Sequence, residues 1–151
     1  MPIVATSILA LSALVGAWLD LASRRLPNWL CLATAVAGLA FAGFAAGAGA
    51  LLSPLVHASL ALLVGMVLFR LGWIGGGDAK FYAACAAWFP LHQAFALVLW
   101  VSLAGLVLVA VWFGYRQATH KRRAGEQAHF ASVPYGVAVA AGAVVAWVLV
   151  S

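Results

Sequence analysis

Residues 93–115 read QAFALVLWVSLAGLVLVAVWFGY, an apolar run without a formal charge. A helix needs about 20 such residues to cross the roughly 30 Å of hydrocarbon in a bilayer. Working outward from this run, the chain repeats the pattern: apolar stretches fall near 3–20, 29–49, 53–73, 78–89 and 134–150, separated by Pro, Gly and charge clusters. The runs are long and rich in Ala, Leu and Val, without the alternation of a membrane barrel, which predicts an all-α class. The sequence therefore predicts a polytopic membrane protein of about six transmembrane helices. The whole of 1–151 is expected to form one membrane-embedded domain.

Composition agrees. Of 151 residues, 67% are hydrophobic and 7% charged, and mean hydropathy is +1.11. Soluble chains run near a quarter charged, so an ordinary soluble domain is excluded. The net charge of +5 would suit nucleic acid, but the placement of the charge points to a membrane instead. Threading the six spans puts Arg24, Arg25, Arg70, Lys80, Arg116, Lys121, Arg122 and Arg123 on one side. The loops around Gly47–Ala50 and Phe89–His92 hold no formal charge. Basic loops stay cytoplasmic during insertion, so the expected orientation has both termini outside and the loops at 21–28, 71–80 and 116–133 inside. The N-terminus lacks the basic start of a secretory signal, and the first run is expected to be retained as a span.

Cys31 and Cys85 lie far apart without a CxxC pair and read as packing residues. The four histidines, His57, His92, His120 and His129, have no metal-ligand spacing and read as structural or solvated. No metal and no cofactor are expected.

The acids are few: Asp20, Asp78 and Glu126. Glu126 sits in a basic, solvated loop. Asp20 closes the first apolar run and Asp78 opens the fourth, on the same side of the membrane. A carboxylate near hydrocarbon is costly, which marks both as functional candidates. Two carboxyls within hydrogen-bonding reach share one proton, the state that lets one take a proton from water while the other donates to a peptide carbonyl. The preceding Gly75-Gly76-Gly77 offers backbone conformations closed to other residues and room for a second chain. The bland reading of this segment is a flexible hinge with Asp78 as helix cap.

Gly75-Gly76-Gly77-Asp78-Ala79-Lys80 resembles the GxGD motif of intramembrane aspartyl proteases, with the Lys of the prepilin peptidase branch. Asp20-Leu21-Ala22-Ser23-Arg24-Arg25-Leu26-Pro27-Asn28 is similar to the Asp-led segment that follows that family's first span. Val133-Pro134-Tyr135-Gly136 is similar to the stretch that opens its last helix. The resemblance covers the chain in order and spacing. It implies catalysis by Asp20 and Asp78, with Gly75, Gly76, Gly77, Lys80, Asn28, Pro134, Tyr135 and Gly136 binding substrate or shaping the site. It also implies removal of short basic leaders from pilin-like precursors at the cytoplasmic face of a bacterial inner membrane. Longer members carry an insertion with two CxxC pairs and also N-methylate their product. Here Asn28 runs directly into the second span, so the likeness is to the compact Flp/Tad form without methyltransferase or zinc. The expected partners are a prepilin, with its basic leader and apolar helix, and the lipid bilayer. A second function, a proton-coupled transporter using the two acids, predicts a relay across the bilayer, whereas both acids lie on one side.

Overall fold

The computed structural model describes residues 2–23, 26–120 and 135–150. Among them are six α-helices: α1 (Pro2–Ser23), α2 (Asn28–Ala46), α3 (Leu52–Arg70), α4 (Gly76–Ala86), α5 (Ala94–His120) and α6 (Tyr135–Val150). Four segments, Ile3–Ser23, Asn28–Ala46, Ala48–Arg70 and Leu91–Tyr115, are long and apolar enough to cross a membrane. The protein is an all-α polytopic membrane protein. Helices are the form this composition dictates, because lipid offers the backbone no hydrogen-bonding partner. Ser7, Ser12, Ser23 and Ser59 obey the same constraint, each hydroxyl donating to the carbonyl one turn back at 2.8–2.9 Å.

The ends of the helices depart from the predicted spans for local reasons. α1 continues past Asp20 through Leu21, Ala22 and Ser23, which carry no stop signal. Pro27, extended at φ −69°, starts α2, and its carbonyl accepts from the Leu30 N–H. α2 stops at Ala46, before the predicted limit, because Gly47 takes φ +83°. A 3-10 turn (Ala48–Leu51) then leads into α3. α3 ends in a Schellman turn, with Gly72 at φ +75°, its N–H on the Phe69 carbonyl and the Trp73 N–H on the Leu68 carbonyl, each at 3.0 Å.

α4 is the shortest helix, at 11 residues, and the most buried. It packs against α2, α3 and α6, while α6 also packs against α1 and α5. α4 and α6 thus form the centre, and the longer helices surround them. Small residues make the approach possible. A Cβ at Gly142 would collide with the Val101 backbone, so α5 and α6 meet backbone to backbone. At the end opposite the acids, Phe41, Trp88, Phe89 and Trp147 form an aromatic cluster with edge-on rings 5.5–5.7 Å apart around Trp147. The two indoles are satisfied: Trp88 donates to the Thr34 carbonyl at 2.9 Å and Trp147 to the Thr6 hydroxyl at 3.0 Å.

Candidate active site

Asp20 is buried in the last full turn of α1, at 7% exposure. The first turn of α6 closes over it: a Cβ at Gly136 would fall 2.7 Å from Asp20 Oδ2. Only a residue without a side chain fits between α6 and this carboxyl. Gly136, expected from the sequence to shape the site, lies directly against Asp20.

Asp78 lies in the first turn of α4. The helix opens at Gly76 with Gly75 as its N-cap, so Asp78 is the third helical residue and not the cap itself. Its carboxyl reaches back to accept the Gly75 N–H, which is half of a capping box. The sequence reading of the three glycines is corrected here. Gly75 is extended at φ −72°, a conformation open to any residue, and Gly76 and Gly77 are helical. What Gly75 provides is space, because a Cβ there would sit 2.6 Å from Asp78 Oδ2. Gly77 faces Leu26, whose Cβ would lie 3.4 Å from an added methyl.

The two acids arrive from α1 and α4 at the same end of the bundle: Gly136 lies against Asp20, and its neighbour Tyr135 lines the same cavity as Asp78. Lys80 does not bond Asp78. Its Nζ donates to Asn28 Oδ1 at 3.1 Å, tying the start of α4 to the start of α2 at the exposed edge of the site. Pro134 lies outside the described residues, as do Arg24, Arg25, Lys121, Arg122, Arg123, Glu126 and His129.

Beside the acids opens a mostly apolar cavity of about 780 Å³. It is bounded by α3, α4, α5 and α6, and α3 and α5 are not among the packed helix pairs. Asp78 and Tyr135 line it at the acidic end, Tyr82 and Ser102 farther in, and His57 near Leu91 at the other end. The cavity has no signature in the sequence. His57, read there as structural or solvated, is buried in its wall with Nδ1 2.9 Å from the Phe89 carbonyl.

A helical membrane bundle with two acids drawn together at one end, beside an apolar cavity, defines a class suited to acid–base chemistry at a membrane surface. Residues 7–110 match the model of the type IV leader peptidase family, and the chain belongs to that family of membrane peptidases. The match includes Asp20 and Asp78 and ends before α6. No curated protein and no solved structure matches the chain.

Proposed function

We propose that the protein is an aspartic endopeptidase that removes the short basic leader from type IV-like prepilins of the Flp/Tad kind, at the cytoplasmic face of a bacterial inner membrane. The observation that supports this reading is the placement of Asp20 and Asp78, on separate helices, at one end of the bundle beside the cavity. Family membership supports leader peptidase activity in general.

In the proposed reaction one carboxylate takes a proton from a water attacking the scissile carbonyl, and the other, protonated, donates to the carbonyl oxygen. The tetrahedral intermediate collapses as the C–N bond breaks, and the departing amine takes up a proton. The two acids then again hold one between them. Gly75 and Gly136 leave room for both carboxyls to meet, and the Lys80–Asn28 bond fixes the edge of the site. The apolar segment of the precursor occupies the cavity beside Asp78, and its basic leader remains in the cytoplasm.

Co-expression with type IV-like precursors tests this. A mobility shift is expected with the wild-type chain and none with Asp20→Asn or Asp78→Asn, provided each variant reaches the membrane. Cleavage that survives both substitutions rejects the mechanism. Proton flux through vesicles in the absence of cleavage would instead favour the transporter.

A further inference from the structure

His57 is 4% exposed, and its ring Nδ1 lies 2.9 Å from the carbonyl oxygen of Phe89. A carbonyl only accepts, so the hydrogen of that bond belongs to Nδ1, and the lone pair of the neutral ring belongs to Nε2. The bond anchors the ring to the turn after α4, and His57 lines the cavity. Among the described residues the ring makes no second hydrogen bond. An acceptor that opens onto an apolar cavity favours an occupant that donates to it over one that covers it with hydrocarbon.

Its depth follows from helix geometry. Gly65 of α3 packs against Ala79, the neighbour of Asp78, with only 2.9 Å between an added Cβ and the Ala79 Cβ. His57 is just over two turns of α3 farther from the acids, roughly 12 Å at 1.5 Å per residue. A substrate helix that begins at Asp78 and lies in the cavity brings a side chain about eight residues beyond the cleaved bond to the level of His57.

We infer that His57 is a specificity-determining residue, accepting through Nε2 a hydrogen bond from a donor side chain about two helical turns into the apolar segment of the precursor. This rests on the peptidase reading proposed above. An all-apolar segment leaves the acceptor unanswered, whereas a donor such as glutamine at the right depth satisfies it. A donor one residue away points about 100° around the helix and misses.

The test is cleavage kinetics, in lipid vesicles, of a precursor series in which a single Gln is moved through the first three turns of an otherwise Leu/Ala apolar segment. The wild-type chain should cleave one member, with its Gln near the eighth position, with kcat/KM about fivefold to tenfold above the all-apolar reference, the gain lying in KM. Two variants separate recognition from packing. In His57→Asn the amide nitrogen can replace Nδ1 on the Phe89 carbonyl, but nothing stands at Nε2, so the preference should vanish while the reference precursor is still cleaved. His57→Gln places an acceptor near the Nε2 position and should retain part of the preference. Equal cleavage of the whole series by the wild type, or a preference that persists in His57→Asn, overturns the role of His57 and leaves the peptidase standing. Loss of all cleavage in both variants also overturns it, by making His57 a packing residue. Failure of the wild type to cleave any precursor rejects the peptidase reading and this inference with it.

Discussion

At the scale of single residues the site is defined by the absence of side chains as much as by two carboxyls. A methyl at position 136 would press on Asp20 Oδ2 at 2.7 Å, and one at position 75 on Asp78 Oδ2 at 2.6 Å. In each case the acid must yield. Displacing a reacting group by about 1 Å costs up to about 100-fold in rate. Gly136→Ala and Gly75→Ala are therefore expected to lower kcat by about 10- to 100-fold in a leader-cleavage assay. Gly77→Ala, whose methyl meets Leu26 at 3.4 Å, should stay close to wild type. At Gly136 the helix propensity of Ala and the clash with Asp20 act in opposite directions on stability, so unfolding must be measured beside cleavage. Thermal unfolding of Gly136→Ala at or above the wild-type temperature, combined with slow cleavage, would assign the defect to Asp20. The two acids and this glycine were legible in the sequence as candidates. What Gly136 faces was not, because that depends on what α1 places opposite the start of α6.

At the scale of elements, α4 carries the architecture. It is too short to span a bilayer unaided, yet Ala79, Phe81 and residues 83–86 are buried, because Ala83, Ala84 and Ala86 let α2, α3 and α6 close around it. The second close seam is α5 on α6. Gly142→Leu would drive a side chain into the Val101 backbone and should destabilise the bundle by about 1–3 kcal/mol, measured by unfolding in mixed detergent. Gly105→Ala, with its methyl 3.8 Å from the Ala138 Cβ, is the tolerated counterpart on the same seam. Trp88→Phe removes the bond to the Thr34 carbonyl and should cost about 1 kcal/mol in the same measurement. Helix number, order and approximate limits could be read from the apolar runs, since lipid leaves a chain of this composition little else to form. Exact ends could not. α1 continues past Asp20 since nothing in Leu21-Ala22-Ser23 stops it, and α2 stops early because Gly47 happens to turn left-handed.

In the whole molecule, Arg70 and Lys80 stand at the end of the bundle that holds Asp20 and Asp78, and the uncharged turns stand at the other. If that basic end faces the cytoplasm, a cysteine at Gly49, where an added side chain meets nothing within 4 Å, should react with an impermeant thiol reagent from outside. A cysteine at Trp73, which is 73% exposed, should react only after permeabilisation. The reverse pattern would invert the orientation. Cys31 and Cys85 are both buried and should add little background. The cavity between α3 and α5 belongs to this scale as well. No local pattern announces it, because it exists where two helices distant in sequence fail to pack together. That His57 shares its lining with Ser102 and Tyr82 is for the same reason not readable from the sequence.

In the proposed mechanism Asp20 and Asp78 act as one unit on a single water. Its most direct test is steady-state leader cleavage by the purified chain in lipid vesicles, comparing Asp20→Asn, Asp78→Asn and the double variant. Groups that act together lose their function together, so each single substitution should lower kcat by about 1,000-fold or more, and the double variant should be no slower than either. A single variant that retains most of the wild-type rate, or a double variant whose loss is the product of two independent ones, would contradict the account.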